Sequence, residues 1–494
     1  MMRNRLTNLK GSKEPKPQGS VGHNGAPRKS WAKLGNGTLF TSVLNNLQEG
    51  GLLGLVLGLP QPPRETYPYD VSFGELGHGF GQVDRAFPNV VELHGIPYAP
   101  APIGEKRFAV SELLETFPHD DMNFQEKPSV CIQSRFDGES IIPWQPGASE
   151  DCLFLSIWAR KDGVEDPSKK YPVQVFFHGG AFMIGTGNFP DTDGTVIAER
   201  QNIVVVSVAY RLGVLGFAHN SEFLADSEAA SDLRHRLEPI QNGQFTPIAE
   251  PWAVVIDGEV LTDNPMRHFQ RGELRPSTPF VNGINEEEGF IFAPSRILGP
   301  PLRYKKMMEQ LYGDSSDEIL DAYPPCTGID CDSSPEFAAW MTDYSWTCSF
   351  QAAITPAIRP TNPVYGFLWN SPIPQTFNRT AMGILRKCVN EQRPCHCFET
   401  INYFGNAIRR GLELTQAEKE YIEKVQNYLG NFIRTGNPND FTGNPRGSMD
   451  FEEMVNMRDS EGQLNVVGLN GQSKEHYRSS FCAVHDDIDE YLKH

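Results

Sequence analysis

Two short apolar runs constrain this chain more than anything else in it. Ile203–Tyr210 (IVVVSVAY) is β-branched almost throughout. A run of that kind suits a strand sheathed on both faces, as in the middle of a parallel sheet. Val173–Phe177 (VQVFF) precedes it and ends in His178-Gly179-Gly180. Paired glycines after a strand let backbone N–H groups approach a ligand without side-chain obstruction. Between the two runs, Gly194–Arg200 reads as a short helical turn. Strand, helix and strand in this order predict an α/β protein with a doubly wound, mostly parallel sheet. Ser207, inside the second run, is expected to be a core residue.

The same reading extends along the chain. Pro279–Ile284 is a weaker strand that leads into the charged turn Glu286–Glu288, and Val364–Trp369 (VYGFLW) is another strand. Glu413–Arg434 is the clearest helix: Thr415 with Glu418 three residues later forms a capping box, and Gly436-Asn437-Pro438 stops it. Residues 1–66 are rich in Gly, Pro, Asn and Lys and hold no sustained period, so they read as a disordered leader. Organised sequence begins near Val71.

Charge and composition exclude several classes. The chain has 494 residues and a formal charge of −18. Residues 1–34 carry +7, which leaves −25 on the rest. That acidic body speaks against a nucleic-acid role, which needs a basic face. No apolar run reaches membrane-spanning length. The best one, Gly51–Leu59, has the length of a signal-peptide core but starts well inside the chain. It reads either as a buried or surface segment or as a signal-like segment behind an extended start. Asn36 and Asn378 open glycosylation sequons, which decide little in a chain this long. The nine cysteines are too sparse for a small disulfide scaffold. The Cys395-His396-Cys397 run has no second pair at zinc spacing, so no metal and no cofactor is expected.

Four patterns belong together: His94–Phe108 (HGIPYAPAPIGEKRF), Glu150–Trp158 (EDCLFLSIW), Val173–Phe182 (VQVFFHGGAF) and Ile203–Phe217 (IVVVSVAYRLGVLGF). In this order and spacing they resemble the type-B carboxylesterase/cholinesterase family of α/β-hydrolases. The resemblance continues through Pro251–Asp257, Gly283–Gly289 (GINEEEG), Pro363–Trp369, Cys395-His396 and Phe432–Pro438, and spans Val71 to Cys482. It implies hydrolysis of a small-molecule carboxylic ester by a Ser-Glu-His triad. Glu288 matches the triad acid and His396 the triad base. The N–H groups of Gly180 and Ala181 match two oxyanion donors. Cys131 with Cys152, and Cys348 with Cys482, resemble family disulfides. Cys326 with Cys331 and Cys388 with Cys395 are plausible short loops, which leaves Cys397 unpaired where the family usually has Gly. These pairings imply a secreted protein or a secretory-pathway lumen.

The nucleophile is missing. The family's serine stands in a G-x-S-x-G elbow between a strand and a helix. The sequence contains no G-x-S-x-G. Gly147-Ala148-Ser149-Glu150-Asp151 starts like one but ends in Asp and precedes the His-Gly-Gly turn. Ala218–Glu250 is polar and irregular, and at roughly 30 residues or more per βαβ unit it cannot hold a helix, the nucleophile strand and a second helix. Ser227–Leu237 offers at most a short charged helix. The fold expected is therefore an incomplete α/β-hydrolase domain, 67–494, with an internal deletion near 218–250. A vacant slot among the central strands would make it unstable. Three readings follow: a carboxylesterase product inactive through splicing or an omitted exon, a non-catalytic cholinesterase-like binding or adhesion protein, and an unrelated hydrolytic mechanism.

Overall fold

The computed structural model describes the chain from Arg64 to Cys482, apart from residues 134–146, 219–253, 294–299, 352–361, 371–387, most of 448–479 and isolated positions elsewhere. The leader up to residue 63, both sequons, the Gly51–Leu59 run, Ser227–Leu237 and nearly all of Ala218–Glu250 lie outside the described residues.

Among the described residues, eleven strands form two sheets. The first contains β1 (Thr66–Ser72), β2 (His78–Asp84), β3 (Val90–Pro97), β4 (Asp121–Asn123), β5 (Phe154–Arg160), β6 (Val173–Phe177) and β7 (Val204–Val208). Its order is β1-β2-β3-β5-β7-β6, with β4 beside β2. The pairings from β1 through β7 along this path are antiparallel, and β6 lies parallel to β7. The second sheet contains β8 (Phe280–Asn285), β9 (Val364–Trp369), β10 (Val466–Gly468) and β11 (Ser473–Lys474), in the order β11-β10-β9-β8. Here β8, β9 and β10 run parallel. Strand β1 starts ahead of Val71 because Tyr67, Tyr69 and Val71 alternate toward one face, where they join a cluster with Val83, Leu93 and Phe124.

Among the described residues, β6 pairs with β7 alone and β8 with β9 alone. Among the described residues each is thus an edge strand. One face of β6 is also bare: Val173, Val175 and Phe177 are 57%, 52% and 65% exposed. Their register partners Val204, Val206 and Val208 are only half-buried, while Val205 and Ser207 on the opposite face are buried. The sequence expectation that Ile203–Tyr210 is sheathed on both faces is thus corrected: this strand is covered on one. Its β-branched composition suits a two-sided core, but no described helix packs over the second side.

The covered face carries the main core. Helix α1 (Thr195–Gln201) packs on β5, β3 and β7. Helices α2 (Phe398–Phe404) and α3 (Gln416–Thr435) reach both sheets. Phe404 meets Phe176 of β6 edge to face at 5.1 Å, and Tyr403 Oη donates to Gln174 Oε1 at 2.5 Å. Tyr421 of α3 meets Trp369 of β9 at 4.7 Å. Trp158, Val205, Trp369, Phe404 and Tyr428 belong to one apolar cluster, against which Phe176 and Val281 also pack. Among the described residues, these helices link the two sheets and no strand belongs to both. Helix α3 begins as its sequence predicts: Thr415 Oγ1 accepts from the Glu418 N–H at 3.3 Å, and Glu418 Oε2 accepts from the Thr415 N–H at 2.7 Å. Gly436, at φ 77°, ends it with its N–H on the Phe432 carbonyl.

A buried charge cluster ties the segment after α2 to the first sheet. Arg409 donates to Asp84 at 2.7 Å and to Glu92 at 2.8 Å, with Asp193 at 3.5 Å. Arg64 joins the same Asp84 and Glu92. Removing one partner would strand a buried charge, at a cost of about 3–5 kcal/mol. Disulfides join Cys131–Cys152, Cys326–Cys331, Cys348–Cys482 and Cys388–Cys395, and Cys397 is free and exposed.

Candidate active site

Two groups of predicted residues take shape, one at the end of each sheet. The first is the turn after β6. Gly180 has φ 123°, and a Cβ there would lie 2.0 Å from the Ile184 carbonyl oxygen, so only glycine fits. Ala181 and Phe182 follow with φ 52° and 59°, a left-handed pair that non-glycine residues seldom adopt. The turn closes through the Met183 and Ile184 N–H groups, which donate to the Gly180 carbonyl at 3.0 and 3.1 Å. Among the described hydrogen bonds, none engages the N–H of Gly180 or Ala181.

His178 braces this turn. Its ring stacks on Tyr210 at 4.3 Å, and Tyr210 Oη donates to the His178 carbonyl at 2.5 Å. Burial pulls the His178 pKa down to about 4, so at neutral pH the ring is uncharged and its Nδ1–H donates to the Gly179 carbonyl at 2.8 Å. Sequence reasoning missed the role of Tyr210, which the last position of the IVVVSVAY run could have suggested.

The second group lies beyond β8. Glu288 opens a 3₁₀ turn, Glu288–Phe292, and is buried. Its Oε1 accepts from the Asn285 backbone N–H at 2.7 Å and from Asn285 Nδ2 at 3.0 Å. Its Oε2 lies 2.5 Å from His396 Nδ1, across 108 residues of sequence. Asn285 thus fixes one carboxylate oxygen and leaves the other for the imidazole. Burial works to lower the His396 pKa, but the Cys397 side chain and Glu288 outweigh it and hold the pKa well above the ordinary histidine value. Phe292 and Trp346 flank the ring at 5.6 and 5.3 Å. Glu399 stands behind: burial and the Glu288 charge push its carboxyl pKa up, while His396 and an Asn285 hydrogen bond at 2.6 Å oppose the shift.

Ser207 lies in β7 with 1% exposure and is a core residue. Asn285, Glu399, Phe292 and Trp346 escaped the sequence reading. Asn285 and Glu399 sit within three residues of Glu288 and His396, a proximity that could have flagged them. Among the described residues no His, Cys, Asp and Glu grouping could hold a metal.

An acid–imidazole pair thus follows β8 and a strained glycine turn follows β6. The profile of the carboxylesterase family matches residues 77–230 and 228–485. The chain belongs to the carboxylesterase family. The match comes in two stretches that meet inside the segment between β7 and β8. Among curated relatives, the "Crystal protein" of Dictyostelium discoideum is 24% identical over 457 residues, covering 72% of this chain and 80% of that protein. The para-nitrobenzyl esterase of Bacillus subtilis (strain 168) is 38% identical over 154 residues, covering 31% of this chain and 30% of that enzyme. A solved PNB esterase superposes with a TM-score of 0.63 at 20% identity, covering 84% of this chain and 99% of that one. The fold of this carboxylesterase-family chain is therefore the α/β-hydrolase fold, with a mixed sheet. No described helix is long and apolar enough to cross a membrane.

Proposed function

We propose that this chain is a carboxylic-ester hydrolase from which the nucleophile segment has been removed, so that as written it hydrolyses no ester through a serine. The separation of β6 from β8 carries this reading: among the described residues both are edge strands, the oxyanion turn following β6 and the acid–base pair following β8. In the uninterrupted protein a serine on the intervening strand would give its proton to His396 Nε2. Glu288 would hold Nδ1–H and stabilise the imidazolium, and the Gly180 and Ala181 N–H groups would receive the oxyanion. Without the serine, its following N–H is lost as an oxyanion donor too. Loss of a triad serine costs about 10⁶ in kcat. The four disulfides support a secretory-pathway origin.

A fluorophosphonate probe tests this directly. No labelled serine is expected, and a stoichiometric adduct on any serine would overturn the reading. Genomic DNA between the codons for Asn220 and Pro251 should contain an intron or an omitted exon, whereas uninterrupted coding sequence would contradict it. The bare face of β6 and β7 favours one second reading, a non-catalytic binding protein. That reading requires cooperative melting of a stable monomer and a saturable partner.

A further inference from the structure

Glu288 and His396 meet across 108 residues of sequence, so their backbones must be held in place from outside the pair. The turn that leads into His396 carries contacts suited to this. A disulfide joins Cys388 to Cys395, the residue before His396, and both cysteines are fully buried. Inside the closed loop, the Arg393 N–H donates to the Cys388 carbonyl and the Cys395 N–H to the Arg393 carbonyl, each at 2.9 Å. The loop then docks on the turn that carries the acid. The Glu287 N–H donates to the Pro394 carbonyl at 3.2 Å, and Glu287 forms a parallel β-bridge with Cys395. Arg393 Nη1 donates to Glu287 Oε2 at 2.6 Å, and its guanidinium lies 4.8 Å above the Phe290 ring. Cys388, Val389 and Cys395 share an apolar cluster with Phe290 and Ile291. Glu287 adjoins Glu288 and Cys395 adjoins His396, so these ties act one residue from the acid and one from the base.

We propose that the loop closed by Cys388–Cys395 is a clamp that positions His396 against Glu288, with Arg393 seating the loop on Glu287. This rests on the assignment of Glu288 and His396 as the retained acid–base pair. Cys388, Cys395 and Arg393 are positioning residues: they act on the imidazole only through the backbone that carries it. On its other side that backbone runs into α2, anchored by the buried Phe398 and Phe404. Cutting the disulfide returns conformational freedom to the loop, and Nδ1 then loses its fixed reach to the carboxylate. Misplacement of catalytic groups by about 1 Å costs near 10²-fold, which is the scale on which such a clamp matters. The ties run directly between the acid turn and the base loop. They account for an acid–base contact at 2.5 Å while the Gly180 turn follows a strand of the other sheet. The titratable groups acting on His396 are Glu288, Glu399 and Cys397, with the Glu287–Arg393 ion pair next to them.

The test is NMR of the full-length oxidised chain with labelled histidine rings, the His396 signals being assigned by their loss in His396→Gln. The parent should show a far-downfield Nδ1 proton and a His396 pKa above the ordinary histidine value. Paired Cys388→Ala and Cys395→Ala replacement should abolish that proton signal. It should also lower the His396 pKa by about one pH unit or more, the effect of one lost charge partner. Arg393→Gln, with the disulfide intact, should move both signals in the same direction, and Arg393→Lys should restore them. Paired Cys326→Ala and Cys331→Ala replacement, which cuts a disulfide elsewhere, should leave both unchanged even where it lowers the melting temperature. Unchanged His396 signals in the folded Cys388/Cys395 variant would overturn the proposal, because the bond would then be a strap for stability alone. Should that variant not fold, Arg393→Gln decides, and unchanged signals there overturn the proposal equally. An equal loss on cutting Cys326–Cys331 would overturn it too. A parent with no downfield proton and an ordinary pKa would remove the acid–base pair itself, and the clamp with it. None of these signals reports on a serine, so the missing nucleophile stands or falls separately with the fluorophosphonate result.

Discussion

Lysine placed at two positions on neighbouring strands separates an open sheet from a closed one. Val175 in β6 is half exposed, while Val205 in β7 is fully buried against the Trp158 cluster. Fully burying a valine contributes about 1.5–3 kcal/mol. Val205→Lys loses all of that and forces an unpaired ammonium into the core, for a total of roughly 4 kcal/mol or more. Val175→Lys loses about half the burial term, ~1 kcal/mol, and its ammonium reaches water directly. Lysine on an open strand edge also blocks edge-to-edge pairing. In a complete sheet both valines would be interior, and the two variants would be about equally damaging. The assay is thermal melting followed by tryptophan fluorescence, with light scattering recorded in parallel. Val175→Lys should melt close to the parent and scatter less, whereas Val205→Lys should melt far below it. Equal destabilisation by the two lysines would refute the open edge and the deletion argument built on it.

Other outcomes follow from particular contacts. The folded His396 pKa lies above its unfolded value, so the stability this group contributes is complete below about pH 6.5 and disappears as pH rises through the raised folded value. Glu288→Gln should flatten that slope in urea titrations across the neutral range and lower the His396 pKa read by NMR. The Cys348–Cys482 disulfide closes a 134-residue separation and Cys326–Cys331 one of 5. Loop entropy then assigns roughly 5 and roughly 2 kcal/mol to them, so paired Cys→Ser replacement should lower the melting temperature far more for the long loop. Thr415→Ala should cost about 1 kcal/mol by removing the cap of α3, measured by the same melts.

Most of the local structure was legible because it depends on short-range rules. VQVFF and VYGFLW coincide with β6 and β9, and the capping box at Thr415 starts α3. The Glu288–His396 contact spans 108 residues, beyond the reach of periodicity, and only family resemblance suggested it. Burial of Ile203–Tyr210 was misread for a physical reason: composition records the environment a strand was selected for, and its actual covering depends on segments elsewhere. Phe292 and Trp346 were illegible for the related reason that common residue types acquire a role only from what they face.

The division into two sheets changes what a repair would require. In a continuous sheet, hydrogen bonds spaced about 4.8 Å per strand act as a ruler between the ends of neighbouring strands. Here the Gly180 turn follows a strand of one sheet and the Glu288–His396 pair a strand of the other, and among the described residues side-chain packing on α2 and α3 links the two. Catalysis tolerates misplacement of about 1 Å at a price near 10²-fold. A serine introduced by point mutation into either half would therefore have a base or an oxyanion hole at an uncalibrated distance. On the proposed deletion, the strand removed would supply both the hydroxyl and the measure by which the two halves of the site agree.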